Sequence, residues 1–231
     1  MKCTITFNNI PFSNFGVYFD YSEAFKTPER EYNSYSVIGR SGDLLISRER
    51  YKNRTIKLDC FIDENFEENY RNLVNYLHAI DGYCRLETSN EPDVFMMACL
   101  DGEIEPKVYN NDFGEFTLKF NCKPQKYLKT GEIAIPITTN ILFNSTSQIA
   151  KPLIEVVGTG TINFNSNVLV LANNTSTTYI DCEIQDCYEG TINRNSDLTI
   201  TGAFPVLATG INNISTSGFT SVKLYPRWWR L

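Results

Sequence analysis

Histidine is almost absent from this sequence: among 231 residues there is one, His78. A Ser-His-Asp or Cys-His catalytic site would have to be built on that residue, because both use an imidazole as the base. No nucleophile-elbow sequence occurs in the chain. His78 falls in the last turn of a predicted helix, where the helix dipole favours a surface histidine. We therefore expect no catalytic triad.

Long apolar runs are also missing. No stretch approaches the roughly 18 to 20 apolar residues that span a bilayer. The start of the chain, MKCTITFNNIPF, lacks the basic head and apolar stretch of a signal peptide. We therefore expect synthesis in the cytoplasm and no contact with a membrane.

Positive charge is in deficit, with 21 Lys and Arg against 27 Asp and Glu. Most of the imbalance lies in residues 1–126, which carry 15 basic and 20 acidic side chains. Affinity for nucleic acid comes largely from neutralising phosphates, so an acidic chain without a basic stripe is not expected to grip DNA. It could still lie beside DNA without binding it.

The seven cysteines are odd in number, and most lie in strand-like segments. The closest pair, Cys182 and Cys187, has no second pair nearby to complete a tetrahedral zinc site. The sequence therefore predicts reduced core cysteines, no metal and no cofactor.

Other candidate chemistry has an ordinary structural explanation. A glycosidase needs two carboxylates, and the candidates are Glu103, Glu105, Glu155 and Glu183. All four occupy strand-like or turn contexts, where a solvated carboxylate is also expected. The glycines at 39 and 42 suit a tight turn, because no Lys-Ser/Thr follows them as a phosphate loop requires. No catalytic or cofactor-binding residue is predicted.

The first half of the chain reads as α+β, mostly strands with one helix. Opening strands are predicted over 2–10 and 15–21, and residues 54–61 alternate as a half-buried strand should. Apolar residues from Phe66 to Ile80 recur at spacings of three and four, which predicts a helix. Asp63 or Asn65 is expected to cap its start and Gly82 to stop it.

Residues 23–36 mix charges with aromatics and have no steady period. We expect an extended arm that packs on something other than its own core. Phe25, Tyr32 and Tyr35 are the candidate contacts of this arm with a neighbouring subunit.

A shift in composition near residue 126 suggests a domain boundary, giving domains 1–126 and 127–231. Past it, short apolar segments recur between turn residues, which is typical of an antiparallel β-sandwich. The predicted segments are 133–137, 153–157, 168–172, 179–184, 198–200, 206–208 and 219–225.

Three stretches resemble one family, the distal tail proteins of siphophages. They are the opening Phe7–Ile10 with Phe15–Val17, the segment Val37–Leu44 followed by Tyr51–Ile56, and a set of C-terminal motifs. That C-terminal set comprises Pro152–Gly160, Tyr179–Glu183, Gly202–Leu207, Gly210–Ile214 and Tyr225–Trp229. Each is weak alone, but their order and spacing together are fairly specific.

The resemblance implies an N-terminal, ring-forming domain followed by a galectin-like sandwich. In that family six copies usually form a ring, a hub that joins the tail tube protein above to the tail-associated tip protein below. DNA passes through its lumen, and some members hold receptor-binding proteins on an arm. Here the second domain is about the size of a bare sandwich, which argues against such an arm.

The resemblance thus predicts a non-enzymatic structural protein of the virion tail tip. The main alternative is a carbohydrate-binding module, since the second half resembles a galectin, but fold does not grant function. Trp228 and Trp229 follow the last predicted strand, where closing a core is the simpler role. A wall hydrolase is a third alternative, disfavoured by the missing chemistry.

Overall fold

The computed structural model describes residues 2–20, 26–138, 141–172 and 176–231. The chain divides into two compact units, Met1–Lys126 with Leu231, and Tyr127–Arg230. The fold class expected from the sequence is confirmed: the described residues are mostly antiparallel strands, with one α-helix among them.

The first unit is built on one antiparallel sheet, in the order β2-β1-β7-β8-β10-β6-β3, with β9 on β10. Its strands are β1 (Ile5–Phe7), β2 (Ile10–Pro11), β3 (Val17–Phe19), β6 (Arg54–Ile62), β7 (Cys84–Thr88), β8 (Val94–Leu100), β9 (Pro106–Val108) and β10 (Gly114–Leu128). A 3-10 helix, Phe12–Phe15, connects β2 and β3. A separate two-stranded sheet pairs β4 (Arg30–Tyr35) with β5 (Leu44–Tyr51).

Strict alternation explains the centre of the sheet. In β6 the side chains of Ile56, Leu58 and Cys60 are buried, while Lys57 and Asp59 point to solvent. The strand pairs with β10 over nine residue pairs, and β10 alternates in the same way. One face of the sheet can therefore form a core while the other stays wet.

The helix α1 (Phe66–His78) covers the apolar face through Phe66, Leu73 and Leu77. Its first residue packs so closely that a Cβ at Gly114 would lie 2.4 Å from the Phe66 ring. Only glycine fits there.

The predicted helix caps need correction. Asn65 is the N-cap residue, but its backbone is in the left-handed region, with φ 48°. No side chain forms a capping hydrogen bond at this end of the helix. The Phe66 N–H instead donates to the Asn111 carbonyl at 3.1 Å, so a loop distant in sequence does the capping. Gly82 is left-handed as expected, with φ 77°, yet it lies beyond the C-cap residue Ala79.

The second unit is a sandwich of two antiparallel sheets. The six-stranded sheet runs β11-β21-β13-β16-β17-β18 and the five-stranded sheet β12-β20-β14-β15-β19. The strands are β11 (Ile135–Pro136), β12 (Ile141–Asn144), β13 (Leu153–Val157), β14 (Gly160–Phe164), β15 (Asn167–Leu171), β16 (Thr177–Asp181), β17 (Asp186–Glu189), β18 (Ile192–Asn193), β19 (Leu198–Thr201), β20 (Gly210–Ser217) and β21 (Ser221–Tyr225). A further short strand, β22 (Trp229–Arg230), belongs to neither sheet and pairs with β10. Short 3-10 helices span Lys129–Glu132 and Asn195–Asp197.

One core joins both sheets of this unit, with Ile154 and Leu224 from one and Phe164 and Ile214 from the other. The expected strand at 206–208 is wrong, since Leu207 makes only an isolated bridge to Ala150. The chain instead forms β14 and β20, which the recurring apolar segments did not include.

Candidate functional site

The hairpin of β4 and β5 is the element that lacks a second layer. Its register places Tyr32 opposite Ser47 and Tyr35 opposite Leu44. Residues 36–43 form the tip, where Gly39 and Gly42 take the positive φ that the predicted turn requires, with open space around both. The turn reading of this segment is therefore confirmed, and the hairpin ends in a loop that contacts little else.

Both faces of the hairpin carry uncovered apolar side chains. Tyr32 is 49% exposed, Tyr35 50% and Ile38 fully exposed. The others are Val37, Leu44, Leu45 and Ile46. A monomeric surface rarely gathers so many apolar groups on one small element, which marks an interaction surface.

The three arm residues expected from the sequence have different outcomes. Tyr32 and Tyr35 lie on β4 and point to opposite faces, because residues three apart in a strand alternate. Phe25 lies outside the described residues. What the two tyrosines touch in an assembly stays a prediction.

The base of the hairpin, unlike its tip, is attached by hydrogen bonds to the rest of the first unit. Arg54 is 4% exposed, and its Nη1 donates to the Lys26 carbonyl at 2.6 Å. Burial lowers the pKa of this guanidinium. The Lys52 N–H donates to the Glu29 carbonyl at 2.8 Å, which closes the hairpin at its root. The tip is thus carried on an anchored stem.

Charged groups line the stem. Glu31 pairs with Arg48 at 3.0 Å and with Arg50 at 3.2 Å. The register shifts between Arg30 and Tyr32, and across from this shift Glu49 has φ 54°, so the stem contains a bulge. The Arg40 side chain, at the tip, is exposed and makes no hydrogen bond or ion pair with any described residue.

An open cleft of about 690 Å³ lies on the solvent face of β6 and β10. Its lining is polar and charged: Lys57, Asp59, Glu103, Glu105, Thr117 and Lys119. The Thr117 hydroxyl donates to Asp59 at 2.8 Å, whereas Glu103 and Glu105 are exposed and unpaired within the described part of the chain. Beside it, β9 and the residue after it expose Val108 and Tyr109.

The four candidate carboxylates for glycoside hydrolysis are divided between the two units, and Glu103 and Glu105 line one cleft. Glu103 and Glu105 belong to the first unit, and Glu155 and Glu183 to the second. Glu155 accepts from Lys223 at 2.8 Å and from the Tyr225 hydroxyl at 2.9 Å. The pKa of Glu155 is lowered, chiefly by the hydrogen bond from Lys223. A general acid in glycoside hydrolysis needs a raised pKa.

The tryptophans expected to close a core are partly buried against the core of the second unit. The Trp229 indole N–H donates to the Ile149 carbonyl at 2.9 Å. Both rings therefore take part in the packing of the sandwich.

Metal-binding clusters and membrane-spanning helices are both missing from the described residues. Within 2–20, 26–138, 141–172 and 176–231, no group of three or more His, Cys, Asp or Glu side chains is placed to hold a metal ion. The described helix is too short and too polar to cross a membrane.

Comparisons with known proteins give matches among phage tail and baseplate proteins. Residues 14–122 match the family of phage tail protein RIFT-related domains. The whole fold is similar to the Dit protein of phage SPP1, described as a paradigm of the hub adsorption apparatus in phages infecting Gram-positive bacteria. The TM-score is 0.76 at 16% identity, over 97% of this chain and 98% of that one.

A second match is to a chain from the activated baseplate of phage p2, with a TM-score of 0.60 at 12% identity, over 96% of each chain. No curated protein matches the sequence. The resemblance to siphophage distal tail proteins drawn from the sequence motifs is confirmed by the domain match and these two folds.

Proposed function

Because the chain carries a phage tail protein domain and shares its fold, end to end, with a phage distal tail protein, we propose that it is a structural protein of the virion. In this proposal it is the distal tail hub of a siphophage, and it is not an enzyme. The observation that carries the proposal is the correspondence over 97% of this chain and 98% of the SPP1 Dit chain. Both units take part in that correspondence, so the proposal accounts for the chain as a whole.

The hub acts as a homo-oligomeric ring, and six copies is the number that the family resemblance implies. One rim of the ring binds the tail tube protein, and the other binds the tail-associated tip protein. A receptor-binding protein is a further partner. The protein is made in the host cytoplasm and ends in the virion at the tail tip. No cofactor takes part.

The first unit forms the ring, with Tyr32 and Tyr35 in contacts between subunits. Their exposure supports this assignment, since packing on a neighbour would cover them. Phe25 belongs to the same proposed arm. Closed rings need two complementary patches on each subunit, and the hairpin supplies one of them.

The ring lumen is lined by acidic side chains of residues 1–126. Outside the hairpin Arg30–Tyr51, that segment carries 11 basic and 17 acidic residues. Like charge keeps passing DNA from adhering to the wall, so DNA crosses the lumen without being bound. A ring structure with a channel lined by Lys and Arg would refute this part.

Negative-stain imaging of the purified protein tests the central proposal. We expect rings with a central hole, and light scattering should give a mass of several chains. Uniform monomers at micromolar concentration would overturn it. A glycan array on the same sample tests the alternative, a carbohydrate-binding module, which selective binding to one polysaccharide would support.

A further inference from the structure

We propose that the hairpin tip of one copy docks on the acidic cleft and the adjoining segment Asp101–Tyr109 of the next copy. This inference names the second patch of the ring and so rests on the proposed function. The donor surface is the tip loop with Ile38 and Arg40. The acceptor surface is formed by Glu103, Glu105 and the exposed apolar residues after them.

Charge complementarity is the first argument. The hairpin Arg30–Tyr51 has four arginines against Glu31, Asp43 and Glu49, so it is net positive, while the rest of residues 1–126 is strongly negative. Arg48 and Arg50 are already paired on the stem. The Arg40 guanidinium, at the tip, forms no ion pair with any described residue.

The acceptor surface has a net negative charge, and two of its carboxylates also have no ion-pair partner among the described residues. The segment Asp101–Tyr109 has three carboxylates against Lys107, and Glu103 and Glu105 both line the cleft. Neither side chain has a partner in the part of the chain that the structure describes. A bidentate Arg–carboxylate contact is the strongest way to satisfy both groups.

Apolar surface matches on the two sides as well. Ile38 is wholly exposed at the tip, and Val108 and Tyr109 are 58% and 50% exposed beside the cleft. Such a contact combines an apolar centre with charged groups at its rim, as specific interfaces do.

The length of the hairpin allows its tip to contact another copy of the chain. The eight residues of β5 extend about 27 Å, at about 3.4 Å per residue, before the chain returns at Tyr51 to start β6. Asp59, in the cleft, lies only five residues after Arg54 along β6. Counted along the strands, the tip therefore lies farther from the root of the hairpin than the cleft does, which allows it to extend to a neighbouring copy.

Charge reversal in the full-length chain tests the pairing. Arg40→Glu alone, and Glu103→Lys with Glu105→Lys, should each raise at least ~10-fold the concentration at which half the protein is assembled, since like charges then face each other. Arg71→Glu, on the exposed face of α1, is the matched control and should leave this concentration within ~2-fold. Native mass spectrometry across a dilution series measures all of them.

Mixing gives the decisive reading. In an alternating even-numbered ring, the glutamate introduced at position 40 of one variant meets the two lysines introduced at positions 103 and 105 of the other. At the remaining contacts, the native Arg40 of the second variant meets the native glutamates of the first. An equimolar mixture of the two defective variants should therefore assemble like the wild type.

The docking proposal would be overturned if the mixture did not assemble, or if either variant alone assembled like the wild type. Neither result would contradict the proposal that the protein forms a ring. A wild-type chain that stays monomeric would instead remove the proposed function itself.

Discussion

In the second unit, polar groups that reach the interior are paired there. Asp181, 5% exposed, receives two bonds from Arg227 at 2.7 and 2.8 Å. In the hairpin of the first unit, by contrast, apolar side chains stand in solvent on both faces of two strands. The difference is that the sandwich has a core between two sheets, whereas the hairpin is a two-stranded sheet without a core of its own.

The second unit also exposes large apolar side chains, among them Ile141, Ile184 and Ile192. Phe143 and Ile211 pair across β12 and β20 and are 62% and 64% exposed. This patch lies on a sandwich with its own core, whereas the hairpin has none beneath it. We therefore expect the hairpin to dominate self-association.

Separating the two units should give the clearest result. A fragment of residues 1–126 should still self-associate, while residues 127–231 should fold alone and remain monomeric, because the hairpin lies in the first. Light scattering on both fragments decides this. A monomeric first fragment beside an oligomeric second one would reverse the assignment, and would point to the Phe143 patch.

Matched truncations test the same contrast in stability. Phe164→Ala removes a fully buried ring and should lower the free energy of unfolding by about 3 to 5 kcal/mol. Tyr35→Ser on the hairpin should change it by less than ~0.5 kcal/mol in the dissociated chain, because Tyr35 is 50% exposed and lies outside both cores. Urea unfolding of both variants provides the measurement. Equal losses would mean that the hairpin has a core of its own.

The buried pair of the second unit should give a smaller effect. Arg227→Met leaves Asp181 without its partner and should cost about 2 to 3 kcal/mol, below the value for a fully buried pair. The Arg227 side chain is 28% exposed, so water can partly replace it. Lys151→Met, which removes an ion pair at 3.9 Å, serves as control and should be nearly neutral.

The same pair makes a prediction about pH. Burial is the largest influence on the pKa of Asp181 and acts to raise it, but the hydrogen bonds and charge of Arg227, together with the Glu183 and Ile184 backbone N–H groups, hold the pKa below its usual value. The pair's contribution is therefore complete above the unfolded pKa of about 4 and is lost as pH falls through the lower folded pKa. The stability gap between the wild type and Arg227→Met should be largest near pH 7 and should narrow as Asp181 becomes protonated in acid, first in the variant and then in the wild type. A gap that widened in acid would contradict this sign.

Thiol reactivity is the mildest test. Burial raises the pKa of Cys122 and Cys182 to about 12 and that of Cys187 to about 11, so these thiols should react slowly in native protein at about pH 8. Cys3, Cys84 and Cys99 are only half-buried and should react first. In denaturant without reductant, all seven should titrate. A bridge between Cys182 and Cys187 would be the contrary result.

Regular alternation decides how much of the fold can be predicted. The strand β6 and the helix α1 keep clean periods, and their positions follow from the sequence. The strand β20 is missed because an inward position is taken by Asn212, fully buried and bonded to Asn165 and to the Ala208 and Gly210 backbone. A polar residue inside a core breaks the pattern that marks a strand.

The hairpin escapes prediction for the opposite reason. Both of its faces are exposed, so β4 has no alternation, and residues 23–36 read as an arm without partners in the chain. Composition alone singles out Tyr32 and Tyr35. Glu103 and Glu105 stand out in the sequence only as candidate catalysts, since nothing there places them in a cleft beside an exposed strand.

The bulge at Glu49 has a consequence for the life of the protein before assembly. A flat ribbon with apolar faces and open edges is the shape from which fibres grow, because each added strand exposes a new edge. Here the bulge twists one edge, and the Glu31, Arg48 and Arg50 charges sit along the stem. Both features work against edge-to-edge addition of further copies, and so against fibre growth by the free chain.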